Sequence, residues 1–165
     1  CTFDYLLRLI ENSIREQENR GRYMKINNSK CTGVVDFRRF NIGYWGLLSR
    51  RLKSGIPVDS VFLEIMGSIK GSASPATDFE PFSRGEYLRR RWKTSLSLIP
   101  AGEMGAVYDM YEWYELAKKE RGDIDQVDRV LKVMKTLEAF KSSGESEDIV
   151  FEQNIRSMLD EIYVD

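Results

Sequence analysis

Histidine does not occur among the 165 residues. Its absence excludes Ser/His and Cys/His nucleophile systems, the His-x-Glu zinc deaminases and every zinc site that needs a histidine ligand. Cysteine is nearly as scarce. Cys1 and Cys31 are too few for a four-thiolate cluster and form no disulfide framework, which predicts a reduced, intracellular chain, nuclear or cytoplasmic. No stretch approaches the ~18 apolar residues that span a bilayer, so a soluble protein with no membrane partner is expected. No phosphate-binding Gly-x-x-x-x-Gly-Lys-Ser/Thr loop is present, and no repeat of 20–50 residues. The opening Cys1-Thr2-Phe3-Asp4-Tyr5-Leu6-Leu7 has neither an initiator methionine nor a polar leader and reads as part of a longer protein.

What is present suits a folded chain: 42% of residues are hydrophobic and 31% charged, with a net charge of −1. At ~150 residues per domain the length predicts one compact unit. The small net charge conceals an uneven distribution. Residues 1–100 carry 17 Lys/Arg against 10 Asp/Glu, whereas residues 101–165 carry 8 against 16, so the two stretches differ as +7 and −8.

Apolar spacing predicts a mainly helical protein. Phe3, Leu6, Leu7, Ile10 and Ile14 share one helix face. Residues 23–32 read as loop with at most a short strand. After Asp36, the residues Phe37, Phe40, Tyr44, Leu48 and Leu52 form a second stripe, closed by Gly55-Ile56-Pro57. Pro57 then opens a helix carrying Val58, Val61, Phe62, Ile65 and Ile69, with Gly71 as its stop. Ser83-Arg84-Gly85-Glu86 fits a capping box and predicts a basic helix through Lys93. Two further helices cover 103–121, with the stripe Val107, Met110, Tyr111, Tyr114 and Ala117 ended by Gly122, and the stripe Val127, Val130, Leu131, Met134 and Leu137, capped by Asp123. A short amphipathic stretch through Ile155 and Leu159 precedes Ile162-Tyr163-Val164-Asp165, whose β-formers predict a terminal strand ending on a metal-binding acid.

Four constellations bear on chemistry. Arg89-Arg90-Arg91-Trp92-Lys93 pairs cations with an aromatic, which suits phosphate contacts and base stacking, although a solvated face with Trp92 in the core is the commoner use of such a run. Arg39, Gly43, Gly46, Arg50 and Lys53 share a helix face of small and basic residues that admits either a packed helix or a nucleic-acid strand. The run Gly122 to Asp128 starts like a calcium loop, but Val127 stands at the third ligand position and no terminal glutamate follows, so capping explains Asp123 and Asp125. Asp165 follows an apolar strand-like run. A metal-dependent nuclease using Asp123, Asp125 and Asp165 would need acids from two distant elements to converge.

In this order the segments resemble the ATPase core of UvrD/Rep-type superfamily 1 helicases, and more closely the large TPR and ankyrin repeat-containing proteins that carry such a domain. Cys1 to Leu7 is similar to the family's Thr-Phe-His-Ser segment, with Asp4 in place of its histidine and Tyr5 in place of its serine. Residues 58–72 with 83–88 resemble the helical insert of the repeat-containing branch. Residues 108–114 and 119–125 resemble the approach to the Asp-Phe-Asp-Asp-Leu motif, and Ile162 to Asp165 the start of a Walker B strand. The resemblance implies a mainly α fold: a helical accessory (1B-like) subdomain inserted in a RecA-like α/β domain, with one terminal strand. Residues 1–22 would edge the first RecA-like domain, 23–122 form the insert, and 123–165 return with a helix and the Walker B strand. It implies Asp165 as a Mg²⁺-site acid, and a nucleic-acid surface of Thr2, Phe3, Arg39, Arg50, Lys53, Arg89, Arg90, Arg91 and Trp92. ATP and Mg²⁺ would serve the intact parent and not this chain by itself. The implied partners are single-stranded DNA or RNA and the rest of the helicase domain. The alternative is a helical protein-interaction module with vestigial helicase ancestry.

Overall fold

A computed structural model describes residues 3–21, 33–48, 52, 55–90 and 99–163. It is mainly helical, as expected, but divides into two compact units where the length predicted one: Cys1–Asn27 with Arg129–Asp165, and Asn28–Asp128.

The first unit is built on helix α1 (Phe3–Gly21), the greater part of α6 (Gln126–Ser142) and α7 (Ser146–Tyr163). Leu7, Ile10 and Ile14 of the predicted stripe pack with Val133 and Leu137 of α6 and Ile155 of α7. At roughly 1.5–3 kcal/mol for each fully buried aliphatic side chain, this seam is what holds the three helices together. The predicted terminal strand is not formed: Ile162 and Tyr163 continue α7. The β preference of three residues is a weak, context-dependent bias. It is overridden by a helix with Glu147 and Asp148 in its first turn and Phe151, Ile155 and Leu159 recurring every four residues against the core. Val164 and Asp165 lie outside the described residues.

The second unit holds α2 (Phe37–Arg39), α3 (Val58–Leu63), α4 (Arg84–Arg90) and α5 (Met104–Arg121), with strands β1 (Val34–Val35) and β2 (Ile124–Asp125). Its core comprises Phe40, Tyr44, Val61, Ile65, Ile69, Val107, Met110 and Tyr114, the apolar positions of three predicted stripes. Two of its helices are not regular. After Arg39 the chain widens into a π-helical turn, Phe40–Tyr44, and tightens into a 3-10 turn, Trp45–Leu47. Gly43 and Gly46, each ~1 kcal/mol poorer than alanine in an α-helix, lie in this irregular stretch. Likewise α3 passes into a π-helical turn at Glu64–Ile69 and a 3-10 turn at Lys70–Ser72.

The termini of α4 and α5 follow the sequence closely. Ser83 N–H donates to Glu86 Oε2 at 2.9 Å, completing the capping interaction ahead of α4. Gly122 ends α5 with φ 66°, the left-handed conformation a glycine enters without a Cβ clash. The parallel pair β1–β2, with Val34 opposite Ile124 and Val35 opposite Asp125, has no counterpart in the sequence reading. Two residues per strand give no periodicity to read. Among the described residues no helix is long and apolar enough to cross a membrane.

Candidate functional site: a buried ion network

The chemistry-bearing side chains of the second unit converge beside β2. On α5, Tyr114, Glu115 and Lys118 stand on adjoining turns. Asp125 and Asp128 face them from the start of α6, which they cap reciprocally: Asp128 N–H donates to Asp125 Oδ1 at 3.0 Å and Asp125 N–H to Asp128 Oδ2 at 2.9 Å. Asp125, not the expected Asp123, is therefore the residue that caps α6. Lys70 enters from the end of the widened turn of α3.

Two ammonium groups and three carboxylates satisfy one another. Lys70 Nζ donates to Glu115 Oε1 at 2.9 Å, Asp125 Oδ2 at 2.5 Å and Asp128 Oδ1 at 2.5 Å. Lys118 Nζ donates to Glu115 Oε1 at 2.8 Å, Asp125 Oδ2 at 2.8 Å and Asp128 Oδ2 at 2.6 Å. Each ammonium has three protons and three acceptors, so none of its donors is left over. Asp125 Oδ2 also accepts from Tyr114 OH at 3.0 Å. Lys70, Lys118 and Asp125 are all buried.

The electrostatic consequence follows from burial against pairing. Burial disfavours the charged form of Asp125, but Lys70 and Lys118 outweigh it and hold the carboxyl below its ordinary range. Burial likewise opposes the charge of Lys118, and Asp125 and Glu115 overcome it, so its amine is more basic than usual. Tyr114 is pushed up by burial and then by the Asp125 charge, which keeps it a neutral donor.

Glu115, Asp125 and Asp128 place carboxylate oxygens within 4.8 Å of one another, a donor set of the kind that holds hard cations. Here the two lysine ammonium groups already supply the positive charge at its centre. The set is thus a five-residue ionic lock with one negative charge in excess, in which both ammonium groups are fully engaged by carboxylates.

A second cluster ties down Asp123. Arg39 Nη2 donates to its two oxygens at 2.8 and 3.0 Å, and Tyr44 OH donates to Oδ2 at 2.6 Å. Burial and then that contact with Asp123 raise Tyr44 to about 12. A Cβ at Gly33 would sit 2.0 Å from Arg39 Nη1, so a larger residue there would have to displace the guanidinium. In the first unit the buried Arg129 guanidinium grips Glu11 through Nε and Nη2, at 2.9 and 2.8 Å, and reaches Asp4 Oδ1 at 2.6 Å. Hydrogen bonding to Arg129 is the main reason the Asp4 carboxyl is more acidic than usual.

These positions revise several expectations. Arg39 is paired with Asp123 through Nη2, while its side chain stays 42% exposed. Beside Gly43, Arg121 at the end of α5 donates from Nη1 to Gly43 O at 3.0 Å, and its guanidinium lies 4.6 Å from the centre of the Tyr44 ring. Asp123 and Asp125 belong to separate clusters and do not form a shared acid pair. Arg89 is exposed on α4. Phe3 opens α1 and Arg90 closes α4, but their side chains lie outside the described set, as do Thr2, Arg50, Lys53, Arg91, Trp92 and Asp165. The division of charge also changes when counted by unit. Residues 28–128 carry 15 Lys/Arg against 14 Asp/Glu, and the remainder 10 against 12, so the +7 and −8 stretches become +1 and −2.

Lys70, Glu115, Lys118 and Arg129 belong to none of the constellations expected from the sequence. Lys118 was within reach, because it continues the stripe of Val107, Tyr111 and Tyr114, and a lysine on an apolar face signals a buried partner. Lys70 carries no such mark, since its burial depends on the widened turn. Set against family models, curated proteins and solved structures, the chain matches none.

Proposed function

We propose that this chain is a helical segment of a UvrD-like, ATP-dependent helicase domain, inactive by itself, that supplies Asp165 to the ATP/Mg²⁺ site of the parent and binds single-stranded nucleic acid through Arg89, Arg90, Arg91 and Trp92. The observation that supports this reading is the pairing of the buried acids. Lys70 and Lys118 pair with Asp125 and its neighbours, and Arg39 holds Asp123, so these acids serve structure, while Arg89 stands exposed at the head of Arg89–Lys93. On this reading ATP and Mg²⁺ belong to the parent domain. The purified chain should show no magnesium-dependent ATP turnover. It should bind a labelled single-stranded oligonucleotide with a log–log salt slope of up to about −3, as four phosphate contacts would give. An Arg89→Glu, Arg91→Glu variant should bind more weakly still. Magnesium-dependent turnover, or binding indifferent to salt and to these substitutions, refutes the reading.

A second reading, a helical protein-interaction module, is favoured by the near balance of charge in the second unit and by Ile42, Leu47 and Leu63, which are 70%, 60% and 59% exposed. Absence of oligonucleotide binding at low salt selects it.

A further inference from the structure

The widened turn of α3 lies between two pinned ends. At its start Glu64 is buried, and its Oε1 accepts from Tyr87 OH at 3.0 Å. At its end Lys70 is held by three carboxylates. The backbone between them straddles two registers: the N–H of Lys70 reaches both Ile65 O, the π-helical partner, and Met66 O, the α-helical one. The turn then closes on Gly71, where a Cβ would lie 3.1 Å from Met66 O. Gly67 sits on the exposed side, with nothing within 4 Å of where its Cβ would be.

A π-helical turn holds one residue more than the α-helical turn it replaces, and its hydrogen bonds are no better, so something outside the backbone must select it. Of the groups around this turn, the Lys70 ammonium has the most to lose. A one-residue change of register rotates it by about 100° about the helix axis, away from three charge-assisted hydrogen bonds in a buried setting. We infer that α3 is a two-register helix, and that the ion network acts as a latch which selects the wide register through Lys70. Lys118 carries the same charge and meets the same three carboxylates, but it is not attached to the turn. The latch is therefore specific to one of the two lysines.

The test compares the full chain with Lys70→Met, Lys118→Met and a deletion of Gly67, following backbone chemical shifts and amide exchange over residues 64–71 by NMR. Lys70→Met should lose the bond from residue 70 to Ile65 and show regular α-helical shifts across the turn. Lys118→Met should keep the wide turn. Deletion of Gly67 leaves both ends pinned while removing the extra residue, so it should fold with a Tm within about 5 °C of the parent and a regular α3. An unchanged wide turn in Lys70→Met, an equal response in Lys118→Met, or an unfolded deletion variant each overturns the proposal. Should Lys70→Met fail to fold, the other two variants decide.

Discussion

The ammonium groups of Lys70 and Lys118, on different helices, converge on one oxygen: Asp125 Oδ2 accepts from both, at 2.5 and 2.8 Å. Two like charges this close are tolerable only because three carboxylates surround them and every ammonium proton has an acceptor.

Truncating one cation should therefore cost far more than a surface ion pair. Lys118→Met keeps most of the apolar stem but leaves Asp125 and Asp128 short of a donor, and should lower stability by about 3–5 kcal/mol in urea unfolding. Lys141→Met, at an exposed pair with Glu138, should cost under about 1 kcal/mol.

The network sets the pH range of stability. The Asp125 carboxyl is more acidic folded than unfolded, so its contribution is complete above the ordinary value of 3.8 and disappears as pH falls through the lower folded value. Lys118 is more basic folded, so its contribution is complete below 10.5 and is lost as pH rises past it. Tyr44, raised to about 12, adds to the alkaline loss from about pH 10 upward. Thermal melts should show a plateau between about pH 5 and 9.5 with a fall on each side. An acid limb beginning near neutrality would contradict this.

Arg129 should not be replaceable by lysine. It makes a two-pronged contact with Glu11 and a third bond to Asp4, and an ammonium cannot reproduce the fork. Both Arg129→Met and Arg129→Lys should lower stability by at least about 2 kcal/mol in chemical denaturation. Full rescue by lysine would show that charge alone matters there.

Asp78 and Phe79 both have positive φ, 51° and 57°. Asp78→Gly should raise stability by about 0.5 kcal/mol, because it relieves the left-handed strain and exceeds the entropic cost of glycine. Phe79→Gly relieves a similar strain but should lower stability by about 3 kcal/mol or more, since the buried ring is lost. Opposite signs at adjacent residues are the measurable outcome.

Much of the helical layout was legible because it rests on local signals. The stripes Leu7–Ile10–Ile14 and Val61–Ile65–Ile69, the Ser83–Glu86 cap and the Gly122 stop each need only near neighbours in sequence. The terminal strand fails for the same reason, since the local β preference of Ile162 and Tyr163 yields to the helix begun at Ser146.

Sequence alone thus determined a mainly helical chain without histidine chemistry, with its apolar faces and most of its helix ends in place, because periodicity and capping act over three or four residues. Only the tertiary structure decided where the charges act. Contacts between residues far apart in the chain, Lys70 with Asp125 and Arg39 with Asp123, turned acids that suggested metal chemistry into the centre of a lock. Counting by compact unit reduced a charge division of +7 and −8 to nearly nothing. Burial and long-range pairing set the state of a charged group, and neither is encoded in its immediate neighbours.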